Sequence, residues 1–357
     1  GELSWLQYQT SPQVLVEKHA AKGFAVAQTE LGIRAKNSRD YSTALKWYRK
    51  AVEQNEPSAQ VGLGQMYSEG LGVAMDESEA VRWYRKAAQQ NDFFGQYNVG
   101  YAYLRGLGVE KDEPEAVRWF TKAAEQNYAD AQNRLGDCYR QGIGVKKDER
   151  EAIKWFRKAA EQGYVNSQLN LGTMYSYGVG VEKDGQKAIT WFTKAAEQNS
   201  AEGQYHLGLL YDEGKDVEKD EQKAAKWYTK AAERNNAKSQ FNLGVMYANG
   251  RGVKKDEREA LNWFTKAAKQ KNANAQYAVG YIYDMGQGVE KDAQEAIRWY
   301  TKAAQQNFAE AQFNLGLFYA RGHGVEANIL EARRWLEKAK ELGHPRAKEV
   351  LKILSEQ

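Results

Sequence analysis

Apolar residues recur along this chain at helical spacing, in short segments separated by glycines and acidic residues. The first stripe of a typical pair of segments consists of Ala59, Leu63, Met66 and Tyr67. The second stripe consists of Ala80, Trp83, Tyr84 and Ala87. Intervals of three and four residues place each stripe on one face of a helix. The pattern therefore predicts a pair of amphipathic helices, each of which buries one apolar face.

The same helix pair recurs with a fixed period. Tryptophans mark it at nine positions, each 36 residues after the one before: Trp47, Trp83, Trp119, Trp155, Trp191, Trp227, Trp263, Trp299 and Trp335. A period of this size is typical of repeat arrays, in which each unit buries its apolar faces against its neighbours. We predict nine repeats over residues 27–343, an N-terminal flank and capping helix at 1–26, and a C-terminal capping helix at 344–357.

Polar residues and glycines predict where each helix begins and ends. Asp76 precedes the second helix as an N-cap, and Glu79 has the spacing of a capping box. Asn91 follows that helix and Gly70 follows the first one, and both residue types tolerate the left-handed backbone of a C-cap. Gly64 lies inside the first helix, where glycine costs about 1 kcal/mol relative to alanine. We therefore expect a neighbouring helix to approach Gly64 closely.

These residues combine into the pattern A-Q-x-x-L-G-x-x-Y-x-x-G-x-G-V-x-x-D-x-x-E-A-x-x-W-Y-x-K-A-A. The pattern resembles the Sel1-like repeat, a relative of the tetratricopeptide repeat, and the resemblance extends from about Ala27 to Gly343. It implies an all-α fold, a right-handed α/α superhelical solenoid of Sel1-like (TPR-like) helix pairs whose first helices line the concave side. It also implies an adaptor or scaffold function, as in membrane-associated degradation complexes, bacterial envelope regulation, host-cell contact by pathogens or neutralisation of secreted lipase toxins.

The variable positions of the first helices are the candidate binding residues. By analogy with tetratricopeptide helices, the third residue of each first helix and the residue one turn later face the groove. The candidate partner-binding residues are Tyr97, Tyr101, Leu169, Tyr205, His206, Phe241, Tyr277, Tyr281 and Phe313. Arg105, Arg134, Arg140 and Arg321 are expected to add polar contacts. Two interpretations stay open: an exposed apolar row would mark a binding surface, whereas a row buried between first helices would be core.

Composition excludes several other classes of function. The 357 residues include 51 Lys and Arg against 47 Asp and Glu, and acidic residues interleave with the lysine three residues after each Trp. We interpret these lysines as a solvated outer face near the last helix carbonyls and expect no nucleic-acid partner. No stretch of 18 apolar residues is present, so the chain is not expected to span a membrane. The single cysteine, Cys138, excludes internal disulfides and is expected to be buried.

Catalytic and metal-binding patterns are missing from the sequence. The four histidines, His19, His206, His323 and His344, fall in different repeats or flanks. No H-E-x-x-H, C-x-x-C, Walker-type loop or S-x-x-K occurs, so we expect no enzyme activity, metal or cofactor. The alternative is a hydrolase that acts on cell-wall or β-lactam substrates, and the missing S-x-x-K weighs against it.

The sequence thus predicts a monomeric, non-enzymatic scaffold that binds a protein or peptide on its concave face. A role in the bacterial cell envelope, in host interaction or as an immunity protein against a toxin fits the resemblance. Because the chain starts at Gly1 and not at Met, we expect that a leader was removed or omitted. A periplasmic or secreted location is favoured over a cytoplasmic one.

Overall fold

The computed structural model describes residues 3–355, and the predicted flanks extend beyond that part at residues 1, 2, 356 and 357. It divides into two compact units, one up to Lys183 and one from Asp184 onward. The first unit contains the helices α1 (Trp5–Thr10), α2 (Gln13–Ala21), α3 (Ala25–Asn37), α4 (Tyr41–Val52), α5 (Pro57–Glu69), α6 (Glu77–Gln89), α7 (Phe93–Arg105), α8 (Glu113–Glu125), α9 (Ala129–Gln141), α10 (Glu149–Glu161) and α11 (Val165–Tyr177).

The second unit contains the remaining helices of the described chain. They are α12 (Gly185–Glu197), α13 (Ala201–Glu213), α14 (Glu221–Glu233), α15 (Ala237–Asn249), α16 (Glu257–Lys269), α17 (Ala273–Met285), α18 (Ala293–Gln305), α19 (Ala309–Arg321), α20 (Ile329–Glu341) and α21 (Ala347–Ser355). All regular elements in residues 3–355 are helices, and they form the expected pairs, for example α7 with α8 and α17 with α18. The predicted all-α fold of helix-pair repeats is confirmed.

The helix ends follow the predicted capping signals, with one difference. The Asp76 side chain accepts a hydrogen bond from the Glu79 amide at 2.9 Å, and Gly70 and Asn91 take the left-handed conformation at φ 66° and 62°. The Glu79 carboxylate, however, pairs with Arg82 at 2.7 Å, which differs from the capping box we expected. Arg82 lies three residues after Glu79 on the same face of the helix, so its charged side chain is close enough to pair with the glutamate.

The glycines inside the first helices leave room for a buried aromatic ring of the paired second helix. A Cβ on Gly64 would lie 2.5 Å from Cε1 of Tyr84, so only glycine fits there. This confirms the predicted close approach and identifies the residue after each Trp as the centre of the core. Such fully buried rings are Tyr48, Phe120, Phe156, Phe192, Tyr228 and Tyr300.

The tryptophans lie at the edge of this core, and most of them are half-buried. The prediction that Trp83 is buried is therefore only partly correct. Trp83 is half-buried, and Tyr84 is the buried ring at the centre of the core. The lysine three residues later covers the exposed face of the indole: the Lys86 Nζ lies 4.0 Å from the centroid of the Trp83 ring. These lysines make cation–π contacts, whereas we expected them to face the helix carbonyls.

An amide ladder, defined here as the Gln and Asn side chains that meet at the helix ends, also joins successive repeats. Gln90 at the end of α6 donates to Gln60 in α5 at 2.9 Å. Gln60 in turn donates to Asn55, which closes the preceding repeat, at 2.8 Å. Equivalent glutamine pairs recur in both units, with donor–acceptor distances of 2.7 to 2.8 Å at Gln162–Gln132 and Gln306–Gln276. The ladder satisfies amides that burial would otherwise leave unpaired.

Candidate functional site

Aromatic side chains of the first helices lie on the rings of the adjacent core. Tyr97 in α7 packs on Phe120 with ring centroids 5.6 Å apart. In the second unit the corresponding pairs are Tyr205–Tyr228 at 6.2 Å, Phe241–Phe264 at 5.5 Å and Tyr277–Tyr300 at 5.5 Å. Each ring is therefore fixed by packing, and part of its surface stays accessible.

Exposure separates the predicted site residues into three groups. Tyr101 and Tyr281 are the exposed members, with 36% and 39% of their surface accessible. The half-buried members are Tyr97, Leu169, Tyr205, His206, Phe241 and Tyr277. Phe313 is buried at 3% exposure because His344 stacks on it at 4.0 Å, so it has almost no surface to offer. The row is thus neither a fully exposed surface nor a fully buried core. We use the name aromatic face for the exposed and half-buried members within each unit, taken separately.

His206 is held by aromatic packing. Its imidazole stacks on Phe192 with centroids 4.7 Å apart and planes within 9°, and Tyr205 meets it edge-on at 5.3 Å. Burial lowers the pKa of His206, Glu202 opposes that shift and Lys238 adds to it. The lowered pKa favours the neutral form of the ring.

The predicted arginines have different surroundings. Arg134 lies beside Tyr97, and its buried Nε has no hydrogen-bond partner among the described residues. Arg140 pairs with Asp137 at 2.8 Å. Arg105 is exposed at the end of α7, and Arg321 lies at the rim of a cavity in the second unit.

Sequence reasoning missed aromatic residues at the start of two first helices. Tyr128 occupies the N-cap of α9 and lies 5.4 Å from Tyr97, while Phe308 occupies the N-cap of α19 and lies 5.1 Å from Tyr277. Phe94, at 39% exposure, completes the cluster in the first unit. An aromatic residue in place of the usual Asp, Asn or Ser cap was the signal available in the sequence.

A cavity of about 500 Å³ opens beside Tyr281, between α17 and α19. Its lining includes Tyr277, Asp284, Met285 and His323. The cavity thus brings together the Tyr281 ring, the Asp284 carboxylate and the His323 imidazole.

Cys138, His19 and His344 lie in packed or hydrogen-bonded surroundings. Burial raises the pKa of the Cys138 thiol to about 11, in agreement with its predicted burial. His19 meets the Tyr8 hydroxyl at 2.8 Å, and His344 meets Glu310 at 3.1 Å. In residues 3–355 no group of three His, Cys, Asp or Glu side chains could hold a metal ion, and no helix is both long and apolar enough to cross a bilayer.

Comparison with known proteins identifies the class that this repeat architecture defines. The Sel1 repeat model matches nine consecutive segments: 25–56, 57–92, 94–128, 129–164, 165–200, 201–236, 237–272, 273–308 and 309–344. The chain belongs to the Sel1 repeat family. Proteins of this family are typically non-enzymatic scaffolds whose repeats mediate protein interactions.

Two solved structures are similar over most of the chain. A Sel1 repeat protein from Oxalobacter formigenes is 32% identical, with 87% of this chain and 90% of that chain covered, at a TM-score of 0.72. A protective antigen present in uropathogenic Escherichia coli strains, which displays an SLR fold, is 31% identical, with 99% and 91% covered, at a TM-score of 0.58. No curated protein matches the chain.

Proposed function

We propose that this protein is a non-enzymatic scaffold that binds a partner protein or peptide on its aromatic face. The observation that carries the proposal is the set of tyrosine and phenylalanine rings that pack on the core and stay partly accessible. Large aromatic side chains that are fixed before binding lose little conformational entropy in a complex, and they dominate interface energetics once a partner desolvates them.

The family supports this proposal at a general level, since Sel1 repeats mediate protein interactions. The similarity to a protective antigen favours a location in the bacterial envelope or outside the cell. The function is therefore that of a monomeric bacterial adaptor of the envelope, of host contact or of toxin immunity, with a protein or peptide as its ligand and no nucleic acid.

The test compares partner binding by variants of the most exposed rings. Wild-type protein captures its partner from a lysate, mass spectrometry identifies it, and calorimetry then measures the affinity for the purified partner. Tyr101→Ala together with Tyr281→Ala should weaken binding by about 2 kcal/mol or more, because the aromatic face of each unit would lose its most exposed ring. The helix content should stay the same, since both rings are exposed.

Leu330→Ala provides the matched control. Leu330 is also a large exposed side chain, at 80% exposure, but it lies on the second helix α20. Its removal should leave the affinity unchanged. Equal affinities for wild type and the double tyrosine variant, or an equal loss from Leu330→Ala, would contradict binding on the aromatic face.

A further inference from the structure

One carboxylate in the cavity beside Tyr281 has no firm partner. The Asp284 side chain is only 16% exposed. Its nearest polar contacts among the described residues are the Tyr300 hydroxyl at 3.4 Å and the His323 Nε2 at 4.0 Å. Neither is a permanent cation. A largely buried carboxylate is costly when no cation forms an ion pair with it, so this charge favours the arrival of a cation.

The chain contains a paired version of the same arrangement two repeats earlier. Asp212 stands 72 residues before Asp284, and Arg251 stands 72 residues before His323. There the Arg251 guanidinium lies 3.0 Å from the Asp212 carboxylate, whose side chain is 17% exposed. The backbone positions and the burial correspond, but the permanent cation is replaced by an imidazole. The second unit thus presents one neutralised aspartate and one available aspartate in equivalent places.

The phenols around the cavity respond to this negative charge. Burial raises the pKa of Tyr300, and the Asp284 carboxylate raises it further. Burial also raises the pKa of Tyr277, with Glu310 and Asp284 adding to the effect. Burial disfavours charge of either sign, whereas the contributions of Asp284 and Glu310 have the sign that disfavours an anion and favours a cation.

Two aromatic faces complete the environment that a cation prefers. Tyr277 and Tyr281 stack with centroids 6.4 Å apart and planes within 29°. The faces of such rings carry negative electrostatic potential, which attracts ammonium and guanidinium groups. Met285 adds an apolar wall that can contact the methylene stem of a long side chain.

We propose that this cavity binds a lysine or arginine side chain of the partner, with the cationic head at Asp284 and the stem along Tyr281. The inference rests on the proposed function and names the chemistry of the partner segment, which is basic. Arg321, an exposed cation at the rim, makes no ion pair with Asp284 within 4.0 Å in the described structure and competes with the ligand only at a distance. Its removal should strengthen binding.

The direct test uses small probes with the full chain. N-acetyl-arginine amide is titrated by NMR, and N-acetyl-citrulline amide, which has a similar shape without the charge, serves as the comparison. The arginine probe should shift the signals of Tyr281 and His323, and citrulline should bind at least tenfold more weakly. Equal binding of the two probes, or no shift at these residues, would overturn the proposal.

Three variants test whether the arginine probe binds in the cavity. Asp284→Asn should reduce probe affinity at least tenfold, while Asp212→Asn, at the paired position, should leave it unchanged. His323→Arg should also abolish binding, because it creates the ion pair that Arg251 makes with Asp212. This variant keeps a charge arrangement that the chain already uses, so it remains informative even where Asp284→Asn lowers stability. Unchanged binding in His323→Arg would rule out Asp284 as the receptor.

The same variants separate this inference from the general function. If Tyr281→Ala weakens partner binding but Asp284→Asn and His323→Arg do not, the cavity takes no cation and the aromatic face still binds the partner. If the arginine probe binds at Asp284 but the tyrosine variants leave partner affinity unchanged, the cation site stands and the proposed function fails.

Discussion

The surfaces around Tyr97 in the first unit and Tyr277 in the second are built on the same plan, five repeats or 180 residues apart. In each of them the tyrosine packs on a fully buried ring, Phe120 or Tyr300, and a second aromatic residue occupies the N-cap of the following first helix. We call them the Tyr97 surface and the Tyr277 surface. Their rings are equivalent and each has an acid at the same position, Asp130 or Glu310, yet the other charged groups near the tyrosine differ.

The difference lies at positions that the repeat leaves variable. Arg134 stands beside the first tyrosine, and Asn314 takes its place in the second surface. Leu104 in the first surface corresponds to Asp284 in the second. The repeat therefore determines where rings are presented, while a few substitutions at equivalent positions change the charged groups beside them.

The largest expected effect comes from removing the ring beneath either surface. Phe120→Ala and Tyr300→Ala should each cost about 3–5 kcal/mol, because a fully buried ring leaves a cavity. Trp119→Ala should cost less, since that indole is half-buried. Hydrogen exchange should locate the loss in the altered repeat and its neighbours. A greater loss from Trp119→Ala than from Phe120→Ala would contradict the assignment of the core.

A smaller effect should follow from filling the space above each ring. A Cβ on Gly100 would lie 2.9 Å from Phe120, and one on Gly280 would lie 2.7 Å from Tyr300. Overpacking of this kind costs about 1–3 kcal/mol, which exceeds the gain of about 1 kcal/mol in helix propensity. Urea denaturation of Gly100→Ala and Gly280→Ala should therefore show destabilisation. A gain in stability would mean that the rings can move aside.

The cation–π contacts should differ little between the surfaces. Lys122 lies 4.1 Å from the Trp119 ring and Lys302 lies 4.0 Å from the Trp299 ring, so alanine at either lysine should cost about 0.5–1 kcal/mol. Thermal denaturation at low and high salt measures the effect. Arg118→Ala is the control, because its pair with Glu115 is exposed and should contribute close to nothing.

The smallest effect, and the one that distinguishes the surfaces most directly, is on tyrosine ionisation. Burial raises the pKa of Tyr97 and Arg134 opposes that shift, so Arg134→Asn should raise the pKa further. Asp284→Asn should instead lower the pKa of Tyr277. Ultraviolet or carbon NMR titration of the phenols measures both. Shifts in the same direction would contradict the charge contrast.

The raised tyrosine pKa values also determine whether the unfolding free energy rises or falls with pH in alkaline solution. A tyrosine whose folded pKa is raised stabilises the protein below its unfolded pKa of about 10, and the contribution is lost as the pH rises through the folded value. Tyr84, whose pKa burial raises to about 12, provides the reference. Between pH 10 and 12 the unfolding free energy should fall with pH, and Tyr84→Phe should make that fall less steep.

Much of the fold could be predicted because each signal recurs in almost every repeat. Asp76 as an N-cap, Gly64 as a close approach and Asn91 as a left-handed terminator each follow from local chemistry. Lys271 shows the limit of that reasoning. It takes φ 65° at the same position although lysine has no preference for it, because the surrounding repeat imposes the conformation.

The candidate site was less predictable because exposure depends on neighbours distant in sequence. Helical spacing places Phe313 and Tyr277 at equivalent positions, but only Phe313 is covered by His344 from the C-terminal segment. The single-sequence pattern also could not distinguish Asp284 from Asp212. That distinction requires the distance to the loop residue of the next repeat, and this distance is a property of packing.

The amide ladder has a consequence for how such a gene can change in length. Most repeats end on an asparagine that can accept from the next repeat, as Asn55 does from Gln60 and Asn91 from Gln96, whereas Gly163 and Lys271 take that position in two others. Deletion or duplication of 36 residues between two asparagine junctions within one unit would rejoin the same donors and acceptors. Recombination can therefore alter the number of binding positions without creating a new junction to be optimised. The junctions near Arg234 and Leu342 are different, because neither residue is the glutamine found at the other junctions, and the side-chain oxygens of Gln204 and Gln312 are left unpaired among the described residues.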